Sequence, residues 1–395
     1  MIAFDEAVEL VRSVAQPIGT EVVPIAEAPG RVLANPVIAQ VDSPRSDVSA
    51  MDGYAVREED LTHFPLTLDV VGESFAGAAW SGPVTPGTCA RIFTGATLPA
   101  GASRVIMQEN VRRQRDAATI EARPGEARHV RKRGSDFAAG DELLPAGRLV
   151  DARAIVAVAA ADCESVEIFR RPRVHILSTG DELAEPGSAR SRADAIPESV
   201  SFGVAALARE AGAEVTARIR LRDDLAAMES AAAGALDQAD VVVVTGGASV
   251  GERDFAKAMF QPLGLELVFS KVAIKPGKPV WLGRARGKLV IGLPGNPTSA
   301  LVTGRLLLAP LLAGLGGQAI ETRLRWHKMP LASAMPECGA RETFHRARSV
   351  NGAADILSFQ DSSAQKALAE ADLLVRQRAN TAALPIGAEV EVLEF

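Results

Sequence analysis

The sequence predicts a multidomain α/β plus β protein built around a doubly wound α/β domain. Three observations predict it. From Arg173 to Gly316, apolar strand-like runs alternate with helical patterns, the order of a mostly parallel sheet with helices on both faces. Residues 42–139 offer short β-like runs punctuated by Gly and Pro, and after Gly316 helical periodicity fades into strand again. A chain of 395 residues exceeds one ordinary core and carries a soft expectation of roughly two to four domains.

Phe4, Ala7, Val8, Val11 and Val14 recur at helical spacing, which predicts an amphipathic helix over 2–15 that ends before Pro17. Residues 21–41 alternate toward strand. The polar, turn-prone segment 42–56 is crowded with side chains able to hold a ligand or metal. Arg91-Ile-Phe-Thr-Gly95 and Arg104-Val-Ile-Met-Gln-Glu109 read as strands of a small β-rich domain, interrupted by the basic run Arg128-His-Val-Arg-Lys-Arg-Gly-Ser-Asp136. Such a run is most often a solvated loop, yet in an acidic chain it is also an offer to a phosphate. An alanine-rich helix over 151–162 returns the chain toward its N-terminal segment.

The α/β alternation is then regular: strand 173–179, helix 199–211, strand 214–221, helix 225–236, strand 240–245, helix 254–263, strands around Val268 and Val280, strand 289–293, helix 298–312. Pro310 breaks the leucine-rich end of the last helix, which reads as buried. Asn351-Gly352 between two apolar runs is a two-residue hairpin signal, and the final β domain closes on the alternating residues 388–395.

Three loops between Ala239 and Ala300 read as places for an anion. Thr245-Gly-Gly-Ala-Ser-Val-Gly251 follows four valines and precedes a helix, so its backbone N–H groups and the helix end can approach a phosphate. Lys275-Pro-Gly-Lys-Pro279 brings Lys271, Lys275 and Lys278 onto one short segment. Leu293-Pro-Gly-Asn-Pro297 places a proline where a helix begins. Each alone is an ordinary turn or solvated face; together, at strand ends of one sheet, they predict one crevice for a phosphorylated or oxyanionic ligand.

The net charge of −6 argues against wholesale binding to nucleic acid or an anionic membrane, so any anion site is local. Cys89, Cys163 and Cys338 are odd in number and far apart, which indicates neither a disulfide framework nor a thiolate metal site and predicts a reduced, cytoplasmic protein. Acids near Met1 are unlike a signal peptide, and no apolar run is expected to span a membrane.

Carboxylates cluster at turns after strands: Asp181 and Glu182, Asp223 and Asp224, and Asp254. There they could hold Mg²⁺ against phosphate oxygens or simply cap helices; the cap suits Asp224, the site Asp181, Glu182 and Asp254. The five histidines lack zinc-ligand spacing, and His175, inside a strand, reads as a satisfied core residue. Gly247-Ala-Ser-Val-Gly251 also matches the nucleophile elbow of serine hydrolases, with His327 and His345 downstream, but nothing around either histidine suggests an acid-oriented base. No Walker A or complete dinucleotide fingerprint is present.

Taken together, the motifs resemble the molybdopterin molybdotransferase family of molybdenum cofactor biosynthesis, which includes the C-terminal domain of gephyrin. The resemblance covers nearly the whole chain. It rests, in the family's order, on Ser49-Ala-Met-Asp-Gly-Tyr-Ala-Val56, Arg91-Ile-Phe-Thr-Gly-Ala96, Arg131-Lys-Arg-Gly-Ser-Asp136, Ser178-Thr-Gly-Asp-Glu-Leu183 and the three loops above. It implies an elongated homodimer with a discontinuous N-terminal linker domain (1–41 and 140–172), an inserted β-rich domain (42–139), an α/β molybdopterin-binding domain (173–316) and a C-terminal β barrel (317–395). It also implies that adenylylated molybdopterin and molybdate are converted to molybdenum cofactor with release of AMP, aided by Mg²⁺, with transient contact to a molybdopterin adenylyltransferase.

Carried over position by position, the resemblance implies catalytic roles for Asp52, Thr94, Asp136, Lys271 and Lys275. It implies substrate binding by Arg131, Gly246, Gly247, Ser249, Gly251, Asp223, Lys278, Pro294, Gly295, Asn296 and Pro297, and metal binding by Asp181, Glu182 and Asp254. Asp52 and Asp136 would reach the cleft of a dimer partner. The chain departs from the family at Ile196-Pro-Glu-Ser-Val200, which replaces a Tyr-Asp-Ser-Asn-like turn and loses the Asn amide, and at Thr245, which replaces a Ser. The adenylyltransferase reaction, which uses a similar α/β domain, and a non-catalytic scaffold are the alternatives.

Overall fold

The computed structural model describes residues 1–246 and 255–395. Gly247, Ser249, Gly251 and Asp254, expected in the phosphate loop and metal site, lie outside the described residues. The central sheet runs, across its width, Glu214–Leu221, Arg173–Thr179, Val241–Thr245, Lys288–Leu293, Trp281–Ala285 and Glu266–Ser270. The first four strands are parallel and Trp281–Ala285 runs antiparallel to both its neighbours, because it is joined to Lys288–Leu293 by a tight turn rather than a crossover helix.

The four valines of the third strand explain why it needs no polar face. Val241 and Val243 pack with Val174, Ile176 and Ile291 beneath helices Val200–Glu210 and Pro297–Leu315, whereas Val242 and Val244 pack with Leu177 and Val290 against helix Leu225–Gln238. The period of two sends alternate side chains into two separate cores, one on each face. Helix starts follow local chemistry: Asp224 caps Leu225–Gln238 by accepting from the Ala226 and Ala227 N–H groups, the role expected of it.

Three sequence expectations are corrected here. Pro310 does not stop the apolar helix; the chain runs as α-helix Pro297–Thr303, a π turn Gly304–Leu308, then α-helix Ala309–Leu315. The wide turn just before Pro310 absorbs its missing N–H and its ring. This 19-residue stretch is thus long and apolar enough to cross a membrane, contrary to expectation, but 89% of its most apolar 18-residue window is buried inside the protein. The helix expected over 254–263 is shorter in its described part, Phe255–Ala258 followed by a 3-10 turn Gln261–Leu263 that holds Pro262.

Three β-rich regions surround this body. Thr20–Pro24 pairs with Ser165–Phe169 and Val37–Ile38 with Glu142–Leu144, enclosing Val23, Leu33, Val37, Val150, Val158 and Ile168. Between them, a sheet runs Arg104–Met107, Gly53–Val56, Thr88–Ile92, Leu66–Ser74, Ala117–Ile120, Val111–Gln114. Helix Phe4–Val14 instead buries Phe4, Ala7 and Val11 in the core of the central sheet, and its Asp5 pairs with Arg376 at 2.6 Å.

The C-terminal sheet contains Glu342–Val350, Leu373–Gln377, Glu389–Glu394 and His327–Pro330, with Ala353–Ile356 turned back at Asn351 and Gly352, whose φ values of 50° and 79° fit the expected hairpin. A bridge from Leu331 to Ala354 closes the ring of pairings. The two-residue strand Ile274–Lys275 leaves the α/β body and pairs in parallel with Glu342 and Thr343. That pairing sets the position of the lysine loop.

His175 is buried as expected but not satisfied: both ring nitrogens lack a partner. Burial lowers its pKa below 6.5, so the folded protein holds it neutral while the unfolded chain takes up a proton first as pH falls. Stability is therefore expected to fall as pH drops below about 6.5. His175→Leu should raise stability at pH 7 by about 1 kcal/mol and flatten this acid limb in urea melts at pH 5.5 and 7.5. Loss of stability in the variant at both pH values would refute it.

Candidate active site

The carboxyl ends of three adjacent parallel strands create the first cavity. Ser178 lies level with Thr245, and Thr245 with Leu293, so the turns that follow these strands open on one edge. Together they line a cavity of about 480 Å³ with Thr179, Glu182, Glu198, Gly246, Pro294, Gly295, Asn296 and Pro297. Gly246, at φ 89°, makes the convergence possible. A Cβ there would stand 2.5 Å from the Thr179 carbonyl oxygen, and Gly295 in turn sits against the Gly246 Cα.

Two helix ends meet this cavity, and they differ. Glu198, 5% exposed, caps the first: its carboxylate accepts from the Ser201 N–H at 2.8 Å, the Ser201 hydroxyl and the Ser178 hydroxyl at 3.4 Å. Thr245 Oγ1 donates to Ser178 Oγ at 3.1 Å and Arg218 Nη1 to Ser201 Oγ at 3.0 Å, so a polar chain crosses the cavity floor. The positive end of helix Val200–Glu210 is thereby neutralised by the protein's own carboxylate. At Pro297 the opposite holds: Asn296 makes no side-chain cap, its amide donates instead to Ser362 Oγ at 2.9 Å, and no acid lies in the first turn. Its Thr298 N–H donates to the Ser362 carbonyl at 3.2 Å, so this end carries no side-chain cap or carboxylate of its own but offers an anion fewer free N–H groups than a bare helix end.

A second cavity, of about 920 Å³, lies on the other side of the lysine loop. Lys275, Lys278 and Arg341 line it, with Asp361 as the one carboxylate among its lining residues, and Pro279 lines both cavities. Gly277, at φ 102°, seats the loop against the second turn of the long helix, where a Cβ would meet Thr303 Cγ2 at 2.1 Å. His345 Nε2 donates to Gln377 Oε1 at 2.8 Å, an orientation fixed because the Gln377 amide donates to the Pro336 carbonyl. Burial, with Lys275 and Arg346 nearby, pushes the His345 pKa down and keeps it neutral. Behind the shared wall, Arg346 is buried, donates to Thr298 Oγ1 at 3.1 Å, and keeps Nε and Nη2 without partners.

The sequence-derived site therefore divides. Glu182, Gly246, Pro294, Gly295, Asn296 and Pro297 meet in the first cavity, and Lys275 and Lys278 in the second. Asp181 stands at the same strand end, accepting from the Asp223 N–H at 3.3 Å. Lys271 lines neither cavity; its backbone pairs with Ile2 and Val280. Among the described residues no group of three potential metal ligands is assembled, and Asp254 is outside them.

Asp52, Thr94, Arg131 and Asp136 line neither cavity and belong to the sheet region between residues 42 and 139. There Asp52 accepts from the Thr94 N–H and hydroxyl, both at 2.8 Å, which holds its carboxyl below the usual range. The basic run is mostly neutralised: Arg128 pairs with Glu58, Lys132 with Asp47 and Arg133 with Asp42. Arg341 and Arg346 were not anticipated; the sequence offers His345 only as a triad histidine and Glu198 only as part of the departing turn at 196–200.

Comparison with known proteins decides the family. Residues 2–161 match a family model described as the MoeA N-terminal region, domains I and II, and residues 175–314 match a probable molybdopterin binding domain. A protein of Nostoc sp. named molybdopterin molybdenumtransferase is 36% identical over 82% of this chain and 76% of its own length. One of Haemophilus influenzae with the same name is 37% identical over 88% and 84%. The chain belongs to the molybdopterin molybdenumtransferase family. A crystal structure of the molybdopterin biosynthesis MoeA protein of Pyrococcus horikoshii superposes over 100% of this chain and 99% of that one, with a TM-score of 0.85 and 30% identity. Within the family's two matched regions, the first contains Asp52, Thr94, Arg131 and Asp136, and the second contains the lysine loop and all of the first cavity's lining except Ser363 and Gln365.

Proposed function

We propose that this chain acts as a molybdopterin molybdenumtransferase, joining molybdate to adenylylated molybdopterin with release of AMP. The observation that carries the reading is the pair of adjoining cavities that share Pro279: one offers a helix end without a side-chain cap and a backbone glycine turn, the other two lysines and an arginine. The first suits the phosphates of the nucleotide-bearing substrate, the second a tetrahedral dianion. Substrate and cargo are then held side by side, so that binding rather than collision sets their geometry.

Asp181 and Glu182 present hard carboxylate oxygens at the strand end beside the first cavity, a donor set that fits Mg²⁺ held by one or two carboxylates and substrate phosphates. When bound there, the ion would offset the charge of the phosphoanhydride. The chain's own residues do the remaining work: the Asn296–Pro297 helix end and Gly246 orient the phosphates, Lys275, Lys278 and Arg341 hold molybdate, and neutral His345 leaves the lysines free of an added titrating charge. Cytoplasmic residence belongs to the same reading, with Cys89, Cys163 and Cys338 all unpaired.

Incubating the protein with adenylylated molybdopterin, molybdate and Mg²⁺ tests the reading. AMP release that requires molybdate supports it; turnover only with molybdopterin and ATP would assign the adenylyltransferase reaction instead. Asp52, Thr94, Arg131 and Asp136 are proposed to complete the cleft of a second copy of the chain, since neither cavity of their own chain includes them. Asp52→Ala and Glu182→Ala, each inactive alone, are then expected to recover molybdate-dependent turnover when co-expressed, because a mixed dimer keeps one complete cleft. No recovery in a confirmed heterodimer would reject the shared site.

A further inference from the structure

A third cavity, of about 290 Å³, lies far from the chemistry described above, where the strands of the N-terminal region meet the back of the α/β body. Arg31, Arg170, Arg171, Arg209 and Arg323 all line it, and among the described residues Glu210 is the only carboxylate that does. Five guanidinium groups around so small a volume repel one another, which an acidic chain has no structural need to arrange. Two of them are incompletely paired. Arg31 donates to Glu21 and to the Phe169 carbonyl at 3.2 Å, but its buried Nε–H has no acceptor; the Arg323 Nε–H is likewise buried and unpartnered. Burial lowers the Arg323 pKa, and the nearby Glu210 only partly offsets it, the mark of a cation short of solvent. The C-terminal end of helix Val200–Glu210 also faces this volume and opposes an anion, but half a charge there and Glu210 do not balance five arginines.

We propose that this cavity binds a small tetrahedral oxyanion, of which inorganic phosphate is the representative, through the guanidinium groups of Arg31, Arg171, Arg209 and Arg323. Such an ion would accept from the guanidinium groups that line the cavity, offset the charge around the two incompletely paired arginines, and tie the region around Gly30 and Arg171 to the helix ends at Arg209 and Arg323. Its effect is on stability and on how firmly these regions hold together, since a ligand that binds only the folded state shifts unfolding by mass action. The site is independent of the transferase reading.

Phosphate is also expected to enter both active-site cavities, so the test uses the full chain carrying Lys275→Ala and Lys278→Ala, with saturating AMP to fill the first cavity. In that background, isothermal titration should still detect phosphate binding, and phosphate should still raise the melting temperature. Adding Arg171→Ser and Arg209→Ser, both exposed positions whose loss should leave the phosphate-free melting temperature unchanged, is expected to weaken the residual binding by about tenfold or more. The same two substitutions in the otherwise unaltered chain should remove one class of phosphate site and leave molybdate-dependent turnover intact. Absence of residual binding in the lysine-substituted chain, or residual binding indifferent to the arginine substitutions, would overturn the proposal.

Discussion

Lys275→Ala will lower molybdate-dependent AMP release by about two to three orders of magnitude while leaving the melting temperature of the protein unchanged. The side chain is exposed on the loop between the two cavities, and only its backbone takes part in the C-terminal sheet, so truncation removes a charge without opening a core. Its neighbours do not replace it. Lys278 is three residues further along the same loop, and Arg341 comes from the facing sheet, so each approaches a bound dianion from its own side. Removing one of three charge-assisted donors leaves the dianion partly uncompensated in a site shielded by protein. Lys275→Arg should restore part of the loss. Kinetics of purified variants decide the matter, and turnover of the Ala variant within about twofold of the parent would remove the lysine loop from the mechanism.

Gly246→Ala is expected to damage both stability and activity. A Cβ at this position would come within 2.5 Å of the Thr179 carbonyl oxygen and 3.0 Å of its hydroxyl, and the residue holds a φ of 89° that side chains rarely adopt. Strained backbone alone costs on the order of 1–3 kcal/mol, and relief of the clash must push the Val241–Thr245 strand end away from Arg173–Thr179. That movement breaks the Thr245 to Ser178 hydrogen bond and, through it, the contact to Glu198 that forms the cavity floor. A urea midpoint shifted to lower concentration, with turnover lost at temperatures where the variant remains folded, is the expected pair of results. Unchanged turnover would mean that the close approach of these turns is incidental.

The α/β body was legible because its strands and helices carry period-two and helical patterns long enough to read, as in Arg173–Thr179 and Glu214–Leu221. Cap chemistry sharpened the boundaries, as at Asp224. Less legible was what depends on distant pairing. Ile274–Lys275 is too short to show any period, and its partner strand begins only at Glu342, so nothing local announces that the lysine loop belongs to two sheets. The π turn before Pro310 exchanges one helical hydrogen-bond pattern for another without changing composition. Glu198 looked like the loss of an amide and proved to be a buried cap, because the carboxylate's burial is decided by Ser178 and Ser201 together. Arg346 sits in an alternating strand like any other residue, and only the packing of the C-terminal sheet against the helix that begins at Pro297 buries it.

The account turns on two anion sites divided by one loop. Diffraction at the molybdenum edge, from crystals of the full chain grown with AMP and soaked in molybdate, locates both directly. The expected result is an anomalous peak among Lys275, Lys278 and Arg341, with the AMP phosphate beside Gly246 and the Asn296–Pro297 turn. Molybdenum bound elsewhere, or AMP outside the cavity formed by the three strand ends, would contradict the account.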